Sequence, residues 1–458
     1  MKIAVLNGSP KGDISVTMQY VHFIQKKFPQ HKLKILNVSQ RIKTTEKNQA
    51  VFQEIIDEVR LSDGILWAFP LYVFLVHSQY KRFIELIWEN GAADAFKSKY
   101  TAALSTSIHF FDHAAHNYMN AICDDLDMKY VGSYSADMRD LLEEKERDRL
   151  VLFAENFFEA IETNVPTTKS YKPVTYGKFN YVPGNVETKT DIGDKKVIVV
   201  TDCQDKQANL GRMIETFRES LSKEVQVINL NDIDIKGGCL GCIQCGFDNI
   251  CAYQDKDEFI EFYNTKIKTA DVLIFAGAIR DRYLSSRWKL FFDRGFFNTH
   301  TPTLTGKQVG FIVSGPLSQI PNLRQILEAY IEWQRANLVD FVTDEYEDSA
   351  KVDALLQSLA KRAVRFAEIG YVKPATFLGV GGMKIFRDDM WGRLRFVFQA
   401  DHRYYKKHGI YDFPQKDRRA RDTNKIMFDL TKTPEMREQV RKMIKTQMVK
   451  PYQEILED

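Results

Sequence analysis

The chain alternates short apolar runs with helical stretches, and this alternation occurs twice. In the first half the apolar runs are KIAVLN at 2–7, KLKILNV at 32–38, GILWAFP at 64–70, TAALSTS at 101–107 and MKYVGSY at 128–134. Strands that alternate with helices predict a parallel sheet covered by helices on both faces.

The second half repeats the pattern at similar spacings. Its runs are KKVIVVTD at 195–202, VQVINLN at 225–231, DVLIFAG at 271–277, KQVGFIVSG at 307–315 and NLVDFVTD at 337–344. The sequence therefore predicts two tandem doubly wound α/β domains. For this type of fold we expect five-stranded parallel sheets with the strand order 2-1-3-4-5.

The boundaries between these units follow from composition. A segment from Asn164 to Thr188 is rich in Pro, Thr, Gly and Tyr and is typical of a linker. After Pro374 the strand pattern stops, and from Tyr371 onward the chain has 19 Lys and Arg against 12 Asp and Glu. The predicted division is a first domain at 1–163, a linker at 164–190, a second domain at 191–373 and a basic, mostly helical extension at 374–458.

The basic extension has two interpretations. The simpler one is a helical segment that packs on the second domain and keeps a solvated basic face. The other is a docking surface for an acidic partner, such as a small electron carrier, because surface fields of this kind steer association.

The overall composition restricts the class of protein. With 458 residues, 44% of them hydrophobic and 27% charged, the chain fits a soluble globular protein of more than one domain. A net charge of +3 gives no indication of nucleic-acid binding. No apolar run has the length of a membrane span. The start MKIAVLNGSPKG is typical of a strand and turn rather than a secretory signal, so we expect a cytoplasmic protein with reduced thiols.

The loop after the first strand, NGSPKGDISVT, has the composition of a phosphate site. Glycines let the backbone turn its N–H groups inward, and a helix N-terminus follows. Hydroxyl groups and one cation are available from Ser9, Lys11, Ser15 and Thr17. The alternative is that GSPKG forms only a tight turn.

Two further loops are expected at the same edge of the sheet. Ligands of such sheets bind where the strand order reverses, here between strands one and three. Strand three ends with Pro70 and Tyr72, and strand four is followed by a second polar and aromatic loop, which includes His109. A histidine in such a loop is more often structural than catalytic. Together the three loops suit a flat ring with a phosphate tail.

These loops resemble those of the flavodoxin-like, NADPH-dependent FMN reductase family, through GSPKGDISVT followed by PLYVF and SQYKRFIE. The resemblance covers about 140 residues and implies FMN as the cofactor. It assigns the phosphate to Ser9, Lys11, Ser15, Val16 and Thr17. It assigns the border of the flavin ring to Pro70, Leu71, Tyr72, Val73 and Phe74, with the site completed by Ser105, Thr106, Ser107 and His109.

The second copy departs from this pattern. Its first loop, TDCQDKQANLGRM, lacks the Gly-Ser-Pro sequence and keeps only Thr201, Lys206 and Asn209 as candidate phosphate contacts. Its third-strand loop has no Pro-x-Tyr pair and contains Arg280, Asp281 and Arg282 instead. We therefore expect no complete FMN site in the second domain.

The second copy has instead a cysteine loop, GGCLGCIQCGFDNIC at 237–251, with four of the six cysteines of the chain. The spacing C-x2-C-x2-C-x5-C is close to that of runs that hold iron–sulfur clusters. Structural zinc usually uses two separated C-x2-C pairs, and a redox dithiol needs only two of the cysteines. The loop also resembles that of iron–sulfur flavoproteins, which implies a [4Fe–4S] cluster on Cys239, Cys242, Cys245 and Cys251.

The predicted function is that of an oxidoreductase that moves electrons between a donor, FMN in the first domain and the cluster in the second. The donor is NAD(P)H or a reduced ferredoxin-like partner. Because neither first strand is followed by G-x-G-x-x-G, a nicotinamide would bind only transiently over the flavin. No side chain is identified as an acid or base. The resemblance also leaves a homodimer open. The alternative is that the two fused domains already form, within one chain, the interface of such a dimer.

Two other functions remain open at this point. The protein could be an electron carrier without a substrate of its own. It could also be a flavin reductase whose cysteine loop binds zinc or acts as a dithiol.

Overall fold

The computed structural model describes residues 1–413 and 416–456. In the first domain five strands form a parallel sheet in the order β2-β1-β3-β5-β6, and the short β4 pairs antiparallel with the end of β3. These strands are β1 (Lys2–Asn7), β2 (Lys32–Leu36), β3 (Gly64–Tyr72), β4 (Leu75–Val76), β5 (Tyr100–Ser107) and β6 (Lys129–Asp137). The helices are α1 (Val16–Lys27), α2 (Ile42–Lys47), α3 (Gln49–Arg60), α4 (Ser78–Glu89), α5 (Asp112–Asp125) and α6 (Glu144–Glu162).

The second domain repeats this topology, with a parallel sheet in the order β8-β7-β9-β10-β11. Its strands are β7 (Val197–Thr201), β8 (Gln226–Asn229), β9 (Val272–Ala278), β10 (Gln308–Ser314) and β11 (Asn337–Thr343). Its helices are α7 (Asn209–Glu219), α8 (Phe259–Phe262), α9 (Ser286–Gly295), α10 (Pro321–Trp333) and α11 (Ser349–Ile369). Both predicted sheets and their strand order are confirmed.

Each sheet is covered by helices, which explains why its central strands are apolar on both faces. In the first domain Ile3 and Val5 of β1 pack with Met18 of α1 and Phe157 of α6. The corresponding core of the second domain joins strand residues of β7 to residues of α7 and α11, among them Val197, Val199, Leu210, Met213 and Leu356. The carboxyl ends of the strands are left for loops.

The segment between the domains, residues 165–189, contains no helix or strand. It nevertheless packs on the second domain. Tyr181 is fully buried, and its hydroxyl hydrogen-bonds to Thr216 at 2.8 Å and to Asp353. The backbone N–H of Gly184 donates to Asp353 at 2.9 Å. The segment is thus fixed to the second domain over part of its length.

The C-terminal extension is helical, as predicted. It contains α12 (Phe377–Trp391), α13 (Gln399–Lys407), α14 (Arg418–Leu430) and α15 (Pro434–Leu456). Contacts within the chain define one compact unit at Met1–Arg403, which includes both sheets and α12. A second unit starts at Tyr404 and consists mainly of α14 and α15. Among the described helices, none combines the length and the apolar character that crossing a membrane demands.

Candidate functional site

A cavity lies at the carboxyl edge of the first sheet, between the two domains. It is lined by all of the residues predicted for the flavin site except Ser105 and His109. The same cavity is lined by all four cysteines of the cysteine loop. Two sets of residues that were predicted independently, on different domains, therefore face one space.

The predicted phosphate loop forms the part of the cavity next to α1. Ser15 caps α1, since its hydroxyl accepts a hydrogen bond from the N–H of Met18 at 3.3 Å. Ser9 is buried, and its hydroxyl accepts from the N–H of Lys11 at 3.2 Å. Thr17 is hydrogen-bonded to Thr106 of the neighbouring strand at 2.7 Å. Hydroxyls and a helix N-terminus thus meet where an anion can be held.

The predicted ring-binding loop is a tight hairpin. Leu71 and Tyr72 at the end of β3 pair with Val76 and Leu75 of β4, which leaves Val73 and Phe74 as the turn. Both turn residues have positive φ, 36° and 67°. Hairpin turns of this length usually place Gly or Asn at such positions, and positive φ strains a β-branched residue.

Aromatic packing holds the strained turn in place. Phe74 is 1% exposed and its ring lies 4.8 Å from that of Phe110 and 4.7 Å from that of Phe111. Non-glycine residues persist in such conformations only where the surroundings fix them, and this happens most often at functional sites.

The predicted residues after β5 fall into two groups. Thr106 and Ser107 line the cavity. Ser105 is buried behind it and is hydrogen-bonded to His116 at 2.8 Å. His109 is half-exposed and pairs with Asp112 at 2.8 Å. This hydrogen bond to Asp112 raises the pKa of His109. Ser105 and His109 thus have structural partners away from the cavity.

The cysteine loop lies directly against the hairpin of the first domain. Gly241 has a φ of +63°, and a Cβ atom added there would come within 2.1 Å of the Tyr72 hydroxyl. The backbone carbonyl of Cys239 accepts hydrogen bonds from Nε2 of His77 at 2.7 Å and from the side-chain amide of Gln79 at 3.2 Å. Only glycine fits at position 241, because the two domains approach so closely there.

His77 joins the two loops and was not identified from the sequence. It is fully buried, and its ring meets that of Tyr72 edge-on at 4.6 Å. Burial lowers the pKa of His77 to about 4, so the ring is neutral and one nitrogen can donate to Cys239. The only signal in the sequence was its place between the ring-binding loop and α4.

The four thiols influence one another. Burial raises the pKa of Cys239 to about 12, and burial also raises the pKa of Cys245. For both, the charges of the neighbouring cysteines contribute further in the same direction. Cys239 and Cys245 are therefore protonated at neutral pH unless a metal ion displaces their protons.

The fit of a metal group to this loop is partial. Four sulfur donors face one cavity, which is the donor chemistry of an iron–sulfur cluster. Among residues 1–413 and 416–456, however, no three or more His, Cys, Asp or Glu side chains are arranged as a metal site. Holding a cluster would require these cysteine side chains to turn toward a common centre.

Helix α9 of the second domain supports both loops with buried charges. Lys289 donates to the carbonyl of Tyr72 at 2.9 Å and pairs with Asp293. Asp293 accepts from the N–H of Ser78 at 2.7 Å, on the other side of the hairpin. The signal in the sequence was the run WKLFFD, in which Lys289 and Asp293 stand four residues apart among apolar residues. Because Lys and Asp are rarely buried unless they are paired, this spacing indicates a buried ion pair.

Arg294 of the same helix holds the start of the cysteine loop. It donates to the carbonyl of Gly237 at 2.9 Å and forms a two-bonded pair with Asp257 at 2.7 and 2.9 Å. A guanidinium matches a carboxylate in this geometry and gives directional support.

The extension forms another wall of the cavity through Phe386, Leu394 and Phe398. Helix α12 contacts the second domain, where the N–H of Gly379 donates to Glu332 at 3.0 Å. The extension also contacts the first domain, because Arg393 donates twice to Asp137, at 2.7 and 2.6 Å. The part of the extension up to Phe398 therefore packs on both domains, whereas the simpler interpretation expected contact with the second domain alone.

Two polar side chains at the corresponding edge of the second sheet, those of Asn209 and Arg282, are engaged within the protein. The side-chain amide of Asn209 bonds to the linker, accepting from the N–H of Tyr181 at 2.9 Å and donating to the carbonyl of Phe179 at 2.9 Å. Arg282 donates twice to Asp125 of the first domain, at 2.7 and 2.6 Å. Asn209, one of the three candidate phosphate contacts of the second domain, is thus already hydrogen-bonded to the linker.

Two family models match the chain. Residues 1–149 match the model described as flavodoxin-like fold, and residues 196–348 match that of NADPH-dependent FMN reductase. The reductase model thus matches the second domain, although the sequence resemblance was based on loops of the first. No curated protein matches the chain.

Solved structures are similar to about a third of the chain. An apo NADH:FMN oxidoreductase (EMOB) is 16% identical, covers 35% of this chain and 89% of its own, and has a TM-score of 0.30. The NAD(P)H:(acceptor) oxidoreductase FerB from Paracoccus denitrificans is 17% identical, with coverages of 35% and 97% and a TM-score of 0.29. An FMN-dependent NADH-azoreductase from Bacillus anthracis, in complex with FMN, is 15% identical, with coverages of 36% and 99% and a TM-score of 0.24.

The two sheets, their common strand order and the two family models agree. The chain carries a flavodoxin-like domain followed by a domain that matches the NADPH-dependent FMN reductase family.

Proposed function

We propose that the protein is a flavin-dependent oxidoreductase that binds FMN in the cavity between its domains. The observation that carries this proposal is the common cavity. Residues of the first domain, from Ser9 to Ser107, and the cysteines of 239–251 line it together. The match of the second domain to an FMN reductase family gives independent support for flavin chemistry.

Each part of the cavity has a role in this proposal. The hydroxyls of Ser9, Ser15 and Thr17 and the ammonium of Lys11 would bind the phosphate at the start of α1. The hairpin Pro70–Phe74 would border the flavin ring and hold its plane. FMN itself would supply two-electron and one-electron chemistry when bound, while the protein contributes position and electrostatics.

The cysteines would hold a [4Fe–4S] cluster beside this site, on Cys239, Cys242, Cys245 and Cys251. Their place in the same cavity supports electron transfer between flavin and cluster within one chain. His77 and Gln79 hold the Cys239 backbone, and Arg294 holds Gly237, so the loop is fixed on the ring-binding hairpin. The electron donor would be NAD(P)H or a reduced ferredoxin.

The position of the flavin can be tested by substitutions in equivalent loops of the two domains. Lys11→Ala with Thr17→Val should weaken FMN binding at least tenfold, because it removes the cation and one hydroxyl of the phosphate loop. Lys206→Ala in the second domain is the matched control and should leave binding unchanged. FMN loss with Lys206→Ala and retention with the first-domain pair would place the flavin in the second domain and refute the proposal.

The metal content decides between the cluster and its alternatives. Protein purified without air should contain about four iron and four sulfide per chain, the content of one cubane. Cys245→Ala should lose them, and Cys203→Ala should keep them. Zinc, or no metal, together with FMN would leave a flavin reductase whose cysteine loop is structural or acts as a dithiol.

Turnover separates an enzyme from an electron carrier. Steady-state oxidation of NAD(P)H with an artificial acceptor is expected for the enzyme. A protein that is reduced once and then stops would be a carrier without a substrate of its own.

A further inference from the structure

Three aromatic rings from three parts of the chain meet in one region of the cavity wall. Phe110 follows β5 of the first domain, Trp333 ends α10 of the second domain, and Phe386 belongs to α12 of the extension. All three line the cavity. The ring centroids lie 6.1 Å apart for Phe110 and Trp333, 5.9 Å for Trp333 and Phe386, and 4.5 Å for Phe110 and Phe386. Because each ring contacts the other two, these residues, the aromatic trio, form one wall.

The aromatic trio adjoins the ring-binding hairpin. The ring of Phe74 lies 4.8 Å from that of Phe110 and 6.2 Å from that of Trp333. A ligand that packs on the trio would therefore lie next to the residues proposed to border the flavin ring.

The extension is fixed where it completes this wall. Helix α12 lies so close to the first domain that a Cβ atom added at Gly382 would come within 2.4 Å of the Phe110 ring. Beyond Phe386, the fully buried carboxylate of Asp401 accepts from the backbone N–H of His300 at 3.0 Å and from its Nδ1 at 2.7 Å. The segment that carries Phe386 is thus held on both sides of that residue.

Trp333 brings a polar group to this apolar wall. The residue is 6% exposed, and among residues 1–413 and 416–456 its indole N–H has no hydrogen-bond partner. Buried donors usually find a partner in the protein or in a bound molecule, and a buried indole N–H is no exception. An orphan donor in a cavity wall therefore indicates a ligand with an acceptor atom.

We propose that the aromatic trio is the substrate subsite of the cavity, and that it selects a flat aromatic compound whose oxygen accepts from the Trp333 indole N–H. Flat rings pack well against aromatic side chains, and a single polar group in an apolar wall fixes the orientation of its ligand. The role of the subsite in turnover rests on the proposed flavin chemistry in the same cavity. Phe386 lies outside both segments that the family models match, so the extension contributes a specificity-determining residue of its own.

The test is equilibrium dialysis of the FMN-saturated full-length protein against coumarin and naphthalene. Both probes are flat two-ring compounds, and only coumarin has a carbonyl oxygen. Trp333→Phe keeps a ring and removes the N–H, so it should weaken coumarin binding about fivefold and leave naphthalene binding unchanged. Phe386→Leu removes one ring of the trio and should weaken the binding of both probes about threefold.

Trp391→Phe is the matched control. Trp391 is on the same helix as Phe386, is 50% exposed and does not line the cavity, so this variant should bind both probes like the native protein. An FMN content equal to that of the native protein shows that each variant is folded.

Equal losses of both probes in Trp333→Phe would contradict the hydrogen bond, and the absence of coumarin binding would contradict the subsite. Displacement of coumarin by FMN would show that the aromatic trio belongs to the flavin site instead. A protein that binds coumarin through Trp333 but never retains FMN would keep the subsite and refute the flavin proposal. Retention of FMN without probe binding would have the opposite meaning, so the two failures are distinguishable.

Discussion

Lys289 and Asp293 hold the ring-binding hairpin of the first domain against helix α9 of the second domain. Both are fully buried, they pair with each other, and each also bonds to the backbone of the first domain. A buried pair of this kind adds little net stability, but removal of one partner leaves an uncompensated buried charge. The pair therefore gives the two domains a defined relative position.

Substitution of Lys289 tests this role. Lys289→Met should destabilise the protein by about 3–5 kcal/mol, because Asp293 would remain buried without its cation. The double variant Lys289→Met, Asp293→Asn keeps an acceptor for Ser78 and removes both charges, so it should cost clearly less. Urea unfolding midpoints of the three proteins provide the comparison, and a double variant as unstable as the single one would contradict the argument.

His116 gives a prediction for pH. Burial lowers its pKa to about 4, while an unfolded histidine titrates near 6.5. The stability that comes from keeping it neutral is complete above pH 6.5 and falls as the pH decreases toward 4, because the unfolded chain then binds the proton more strongly. At pH 5 the loss should be about 2 kcal/mol.

The variant His116→Gln isolates this effect. It is neutral at every pH and can still bond to Ser105, so it should lose about 2 kcal/mol less than the native protein between pH 7 and pH 5. Urea midpoints at the two pH values give the result. An equal loss in both proteins would mean that His116 does not titrate in this range.

At the scale of elements, the hairpin of β3 and β4 and the cysteine loop form one structural feature. The sequence placed Tyr72 at the ring-binding loop, but Val73 and Phe74 have none of the usual signs of positive φ. That conformation depends on Phe110, Phe111 and the second domain, which are distant in sequence. Local patterns therefore predicted where the loop lies and could not predict its shape.

The close approach of the two loops can be tested at Gly241. Gly241→Ala should displace the cysteine loop from Tyr72 and weaken FMN binding at least tenfold, because its Cβ has no room. Gly306→Ala is the control, since Gly306 also has positive φ, +78°, but open space around it. It should cost only the backbone penalty of about 1 kcal/mol, with unchanged flavin affinity. Equal flavin affinity in both variants would contradict the contact.

At the scale of the whole molecule, the two sheets were predictable because each strand and helix is encoded in a local pattern. The docking of one domain on the other was not, since it depends on the buried Lys289 and Asp293, which bond to Tyr72 and Ser78 of the first domain, and on the fit of Gly241 against Tyr72. The extension was predicted as helical from composition, but its part in the cavity wall, through Phe386, rests on tertiary contacts.

The central claim is that flavin and the cysteine loop share one cavity, and alkylation of the thiols tests it most directly. Metal-free protein is treated with iodoacetamide with and without saturating FMN, and modification is read by mass spectrometry. We predict that FMN slows alkylation of Cys242, which is exposed, and of Cys251, while Cys203 reacts at the same rate in both samples. Equal rates at Cys242 and Cys251 with FMN demonstrably bound, or protection of Cys203 instead, would contradict the shared cavity.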